Sequence, residues 1–211
     1  MKIFSTLAVA VLLRPLAPDA VYEPTARLLA RIEAGERADL AFLTAEAVAA
    51  LQASGVLVSG RDVARSFVGL AVPAGAPRPD ISTVEALRAA LLAAPSIAYS
   101  RAGASGIFFA GLIERLGIAE AVNAKATIIP QGFTAELAAR GAVALAVQQV
   151  SELKAVAGVE IVGRLPEGAN VGAMFSAGVF AGAAPGSAAA LDRLLGAMTP
   201  AALEAAGLEA P

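Results

Sequence analysis

Short apolar runs alternate along this chain with longer stretches in which apolar positions recur every three or four residues. The first pattern predicts buried strands and the second amphipathic helices. Strands are expected at 2–5, 20–23, ADLAFL (38–43), SFVGLAVPAG (66–75), SIAYS (96–100), KATIIP (125–130), VALAVQQ (143–149), GVEIVGRLP (158–166) and AMFSAGVF (173–180). Helices are expected near 7–14, at 26–34, 45–53, within DISTVEALRAALLAA (80–94), at 106–115, near 134–140, and twice after Pro185. Helix boundaries carry their own signals. Thr25 and Thr44 stand as N-caps, with Gly35 and Gly55 as stops. Ser82 with Glu85 reads as a capping box, Ser187 as a cap, and Thr199–Pro200 as a cap followed by proline at the first helical position. Strands alternating with helices in this way predict an α/β fold with mostly parallel sheets.

Two apolar stretches resemble membrane signals. MKIFSTLAVAVLL has the shape of a secretory leader, but Ser5 and Thr6 interrupt it and Pro18 spoils the cleavage position, so it reads as a first strand. Residues 171–191 carry no charge, yet glycines, Pro185 and two serines break the run, which reads as a strand, a turn and a helix.

In a parallel sheet, strand C-termini and helix N-termini meet at one edge, where ligands of open α/β folds sit. Small polar residues gather at four such ends: Ser5–Thr6, Pro24–Thr25, Ser100–Arg101 with Ser105–Gly106, and Gln148–Gln149. Two of these belong to the first part of the chain and two to its middle. That division predicts two lobes, 1–73 with 169–211 and 74–168, joined by crossing strands with a cleft between them. The stretch YSRAGASGIFFAGLIERLG (99–117) is the fullest of these signals. An uncapped helix N-terminus leaves N–H groups and a partial positive charge. Gly103 and Gly106 let backbone approach a ligand, Ser105 either caps the helix or donates to an anion, and Arg101 adds a planar cationic fork. Together they form a candidate anion cradle.

Composition narrows the chemistry. Of 211 residues, 57% are hydrophobic and 16% charged, enough apolar material for a large core and too little polarity for disorder. A net charge of −2 argues against a nucleic-acid surface. The chain has neither cysteine nor histidine, so there is no disulfide or thiolate metal site, and the commonest general base and metal ligand is missing. Neither a cofactor nor a metal is implied. Acid–base work would fall to Asp, Glu, Lys or Tyr. Glu23 and Glu152 are the carboxylates at strand ends, and Tyr22 and Tyr99 could supply hydroxyls. Dinucleotide fingerprint, phosphate-binding loop and nucleophile elbow are all missing.

FSTLA, EPTARLLARIEAGERADLAFLTAEAV, GVLVSGRDVARSFVGLAVPAGAPRPDISTVEALRAALL, SIAYSRAGASGIFFAGLIERLGI and FSAGV resemble the molybdate-type solute-binding protein family, and more closely its molybdate-like relatives of unknown ligand. The resemblance covers nearly the whole chain. It implies a type II periplasmic binding protein fold: two α/β lobes, crossing strands, and helices on both faces of the sheets. The partners it implies are an oxyanion ligand and an ABC transporter permease. Carried over by position, the family's shell implies Ser5, Thr6 and Thr25 in the first lobe, with Ser105 and the Gln148 junction in the second. The sequence departs from that pattern. EPTA replaces a serine-rich loop, Gln148 stands near a family tyrosine, Arg101 is an addition, and VLLRPLAPDAVY holds Pro15 and Pro18 where the family has a full helix.

The expected function is therefore binding of a small anion, an oxyanion such as molybdate or a small carboxylate, in the interlobe cleft. The site residues are Ser5, Thr6, Thr25, Arg101, Ser105, Gly106, Gln148 and Gln149. The protein is expected to be a monomer without membrane insertion. It is periplasmic if a leader was removed and cytoplasmic if the N-terminus is native. Two other readings stay open: an isomerase-like enzyme or ligand sensor on the same fold, and an interaction module with a vestigial site.

Overall fold

Period-two alternation within the strands decides which side chains face which layer. In the computed structural model, which describes Met1–Pro211, the chain forms two compact units. The first comprises Met1–Ser66 and Ala173–Pro211, and the second Phe67–Gly172.

The sheet of the first unit is built from β1 (Ile3–Ser5), β2 (Val21–Tyr22), β3 (Leu40–Thr44), β4 (Arg61–Ser66) and β10 (Ala173–Val179), in the order β2-β1-β3-β10-β4. The pairings of β1 with β2 and β3 are parallel, and those of β10 with β3 and β4 antiparallel. Ile3, Leu40, Phe42 and Phe175 pack on one face beneath α1 (Ala10–Leu13), α9 (Ser187–Ala197) and α10 (Pro200–Ala205). Phe4, Ala41 and Leu43 face the other way, against α2 (Thr25–Glu33) and α3 (Ala45–Ala53).

The second unit repeats this plan with β5 (Val68–Pro73), β6 (Ile97–Ser100), β7 (Ala126–Ile129), β8 (Leu145–Gln149) and β9 (Val159–Arg164), in the order β7-β6-β8-β5-β9. Strand β6 pairs in parallel with β7 and β8, and β5 antiparallel with β8 and β9. The spellings GLAV, SIAYS and VALAV now explain themselves. Leu70, Val72, Ile97, Tyr99, Leu145 and Val147 cover one face with bulk, against α4 (Val84–Ala93), α5 (Ala104–Arg115) and α6 (Ala119–Asn123). Ala71, Ala98 and Ala146 line the other. Their small side chains let α7 (Ala135–Ala139) and α8 (Val150–Lys154) lie close to the sheet.

Helices thus cover both faces of each sheet, as expected for this class. The sheets are mixed: two of the four ladders in each are parallel. The predicted lobe boundary at 73/74 moves to Ser66/Phe67, because β5 pairs wholly with β8 and β9. The return moves from 168/169 to 172/173 for the corresponding reason, β10 pairing only with β3 and β4. A single predicted strand at 66–75 omitted β4, a polar edge strand with an irregular register against β10.

Thr44 and Thr199 cap as predicted, accepting from Ala47 N–H at 3.4 Å and Ala202 N–H at 3.3 Å. Other caps move. Thr83 rather than Ser82 accepts from Ala86 N–H, at 3.1 Å, while Ser82 donates its backbone N–H to Asp80. Pro24 takes the capping position ahead of Thr25, and Gly186 that ahead of Ser187. Residues 171–191 divide into β10, a turn and the start of α9 as read, and no helix is long and apolar enough to cross a membrane.

Candidate functional site

In the first unit, β1 delivers Ser5 and Thr6 to the sheet edge. The Thr6 N–H donates to the Phe42 carbonyl at 2.8 Å, and the Ser5 hydroxyl is spent on the Thr6 carbonyl at 3.0 Å. Both residues are buried, and the Thr6 side chain caps nothing. Glu23 N–H donates to the Ser5 carbonyl at 3.1 Å, which brings the end of β2 and the start of α2 beside them. Thr25, predicted to cap α2, is instead its first residue, and its Oγ1 is buried without a hydrogen-bond partner. An orphaned buried hydroxyl costs about 1–3 kcal/mol. Ser5, Thr6 and Thr25 therefore lie at one end of this sheet.

Glu23 is not a free base there. Its carboxylate pairs with Arg31 at 2.9 Å, and Arg31 also holds Glu36. Hydrogen bonds from Arg31 and then Lys2 bring the Glu36 carboxyl down to about 2.

In the second unit, β6 and β8 pair in parallel at their starts, Ile97 opposite Leu145 and Ala98 opposite Ala146, so their C-terminal ends point to the same side of the sheet. The loop at Arg101 and the pair Gln148–Gln149 leave the sheet at that shared edge. Gly103, not Ser105, takes the cap position of α5, with no side-chain cap. Ser105 follows in the first turn, buried and making no side-chain hydrogen bond. Around Gly103 there is open space for backbone approach. Gly106 works differently from the expectation: a Cβ there would stand 1.2 Å from the Ser100 carbonyl oxygen. Its missing side chain serves the packing of helix on strand, and the chain itself fills the space a ligand would need.

Arg101 is exposed, and its guanidinium turns to Tyr99. Nη2 donates to the Tyr99 hydroxyl at 3.3 Å, and that hydroxyl donates to Asn123 Oδ1 at 2.6 Å.

The glutamines part company. Both ends of the Gln148 amide are committed, Oε1 accepting from Thr134 N–H at 2.7 Å and Thr134 Oγ1 at 3.0 Å, Nε2 donating to the Gly132 carbonyl at 3.0 Å. Gln148 therefore fixes the loop before α7, which explains a buried amide at a strand end. Gln149 heads α8, where Glu152 Oε2 accepts from its N–H at 3.3 Å. The two stand in the order of a capping box. The reciprocal half, Gln149 Oε1 over the Glu152 N–H, falls outside hydrogen-bond geometry, and that oxygen is buried without a donor. Burial lifts the Glu152 carboxyl to about 7 against the opposing hydrogen bonds of the Gln149 N–H and the Gln148 side chain. Neither this shift nor the reach of Gln148 is marked in the sequence, which shows only that Glu152 follows the glutamine pair.

With these junctions in view, comparison with known proteins decides the family. Residues 19–209 match the family described as bacterial extracellular solute-binding protein. The chain belongs to this family. Among related solute-binding folds, the periplasmic molybdate-binding protein of Azotobacter vinelandii superposes with a TM-score of 0.75 at 17% identity, over 100% of this chain and 99% of that one. The substrate-binding domain of a molybdenum ABC transporter described as putative, from Clostridium difficile, gives 0.67 at 14%, over 100% and 98%. At these identities the likeness establishes the type II fold. A protein named aconitate isomerase, from a Pseudomonas species, is 38% identical over 149 residues, 69% of this chain and 56% of that protein's length. The chain thus aligns to little more than half of that relative.

Proposed function

We propose that this chain is a solute-binding protein for a small organic polycarboxylate. The anion-binding groups are the hydroxyls and first-turn N–H groups at the strand ends within each unit, with Arg101 in the second. The observation that carries this reading is the Thr25 hydroxyl, buried at the first turn of α2 with no partner of its own. A donor left unmatched beside a positive helix end is matched by an anion. Membership of a solute-binding family supports the reading, and the name of the Pseudomonas relative favours a carboxylate over a metal oxyanion. In the second unit Arg101 suits a carboxylate through its bidentate fork once it leaves Tyr99. Of the eight residues expected at the site, Thr6, Thr25, Arg101 and Ser105 are kept as ligand groups, together with the Gln149 amide, while the Ser5 hydroxyl braces the Thr6 carbonyl. Gln148 and Gly106 support them. An ABC permease in the membrane is the natural recipient of a ligand carried by a protein of this family.

Calorimetry against molybdate, sulfate, phosphate and a series of di- and tricarboxylates tests the reading. Thr25→Val is expected to weaken binding of the preferred anion about tenfold, or roughly 1.4 kcal/mol, while the free protein melts at the same or a higher temperature. Affinity left intact in Thr25→Val would remove the first-unit half of the proposal. Arg101→Ala is expected to weaken carboxylate binding by tenfold or more. Equal affinities of wild type and Arg101→Ala would take Arg101 out of the site.

A second reading, an isomerase of such an anion, is favoured by one specific observation, the activity for which the Pseudomonas relative is named.

A further inference from the structure

We propose that Glu152 is the acid–base group of this chain, moving a proton along a bound unsaturated polycarboxylate so that its carbon–carbon double bond shifts. The inference rests on the anion-binding reading above and adds an activity to it.

Among the Asp, Glu, Lys and Arg side chains, Glu152 alone is buried, at 7% exposure. The groups that act on it are neutral: the Gln149 N–H and the Gln148 side-chain amide. No charged group is among those that act on it. The elements packed against α8 include β5, β8 and β9, and α7, whose Glu136 is an acid and no cation, shares a cluster with Leu153. Strands β5 and β8 carry no charged residue. On β9, the Glu160 carboxylate accepts from Gly75 N–H at 2.9 Å, and the Arg164 guanidinium lies over the Phe67 ring at 4.9 Å. Lys154, two residues along α8, is not among the charges that move the carboxyl. Folding does not require an acid here, since a glutamine would close the same capping box without a buried ionisable group.

Position supplies the second argument. Glu152 lies in the first turn of α8, directly after the C-terminal end of β8. Because β8 and β6 are neighbours and run parallel, that end lies on the same side of the sheet as the C-terminal end of β6, from which Arg101 and the α5 N-terminus emerge. A buried acid and the proposed anion groups thus leave the same edge of one sheet within one unit. Alternatives are few: the chain has no histidine or cysteine, and Glu23 is ion-paired with Arg31.

The chemistry balances without a co-reactant. The Glu152 carboxylate takes a proton from the carbon between a carboxylate group and the double bond. That C–H bond breaks, and its electron pair spreads over the allylic system onto the flanking carboxylate, whose charge Arg101 and the helix N-terminus offset. The protonated Glu152 then returns the proton to the far end of the allylic system. The double bond moves, the carboxylate is regenerated, and nothing is oxidised or reduced. A carboxyl held near 7 is matched to both halves of that exchange at neutral pH.

The test follows trans-aconitate in D2O by proton NMR, with calorimetry on the same samples. Wild type is expected to bind it, to exchange its methylene protons and to form the cis isomer, at a rate that rises with pH through about 7. Glu152→Gln should keep the dissociation constant within about threefold and lose exchange by about 100-fold or more. Glu152→Asp, which restores a carboxyl, should recover part of it. Binding by wild type without exchange, or full exchange by Glu152→Gln, overturns the proton transfer and leaves anion binding standing. Should Glu152→Gln not fold, a wild-type exchange rate flat between about pH 6 and 8 overturns it equally. No heat with any carboxylate or oxyanion overturns the anion-binding reading and this inference together.

Discussion

Gly106→Ala is expected to lower the melting temperature by roughly 10 °C, the largest effect of any single methyl group added to this chain. The reason lies in how α5 returns over β6. A Cβ at Gly106 would sit 1.2 Å from the Ser100 carbonyl oxygen and 2.2 Å from its carbon, where ordinary contact begins at 3.4 Å. The obstacle is backbone, so no side-chain rotation relieves it. Either the first turn of α5 lifts or the end of β6 bends, and both carry buried apolar weight, Tyr99 and Phe109 packing edge to face at 5.2 Å. Roughly 3–5 kcal/mol is the scale for overlap of this kind in a packed core. Ser105→Ala is the control, since that hydroxyl makes no hydrogen bond in the structure and its loss should leave the melting temperature nearly unchanged. Thermal or urea denaturation of both variants decides the matter. A Gly106→Ala protein melting within a degree or two of wild type would mean that α5 is not seated on Ser100 as described.

The second large effect is a decline in stability as pH rises across neutrality. Glu152 has a carboxyl lifted from the ordinary 4.5 to about 7, chiefly by burial. The fold prefers the neutral form. Its contribution is complete below about pH 4.5, falls as pH climbs, and is gone once pH has passed the folded value near 7. The interval of about 2.5 units, at about 1.4 kcal/mol per unit, bounds the loss at roughly 3 kcal/mol. The other large carboxylate shift works elsewhere: Glu36, held near 2 by Arg31 and Lys2, loses its contribution only as pH falls toward that value. With no histidine in the chain, the window from about pH 5 to 8 belongs mainly to Glu152. Glu152→Gln should therefore flatten the stability profile there and exceed wild type in stability at pH 8. Urea titrations at several pH values measure this directly. An unchanged slope in Glu152→Gln would show that another group titrates, or that water reaches the carboxyl.

How far each element was legible depends on how locally its cause is written. Helix α3 was bounded correctly at 45–53 because Thr44, Gly55 and the apolar spacing all act within a few residues of one another. Thr199–Pro200 and the stops at Gly35 and Gly141 follow the same logic, the glycines taking positive φ values of 93° and 72°. The alternating spellings of β3, β5, β6 and β8 announced strands because a two-sided sheet imposes a period of two. Helices α6 and α8 are not marked in the sequence: each has five residues, and unlike the equally short α7, which stops at Gly141, neither is closed by a glycine. Strand β4 is not marked in the sequence because it is polar and lies at the sheet edge, paired along its length with β10 and on its other side only by the Arg65–Glu209 bridge.

By itself, then, the amino-acid sequence determined the α/β class, the approximate place of most elements, and the accumulation of hydroxyls, amides and Arg101 at strand ends. These are properties of composition and short-range spacing. Only tertiary structure decided that β5 and β10 run antiparallel to their neighbours, that Gly106 answers to the Ser100 carbonyl, and that Gln148 is tied to Thr134 while Glu152 is buried without a cation. Each of these depends on residues far apart in the chain or on backbone geometry across a turn. Burial and partner choice are set by what packs alongside, and a linear order of side chains does not carry that information.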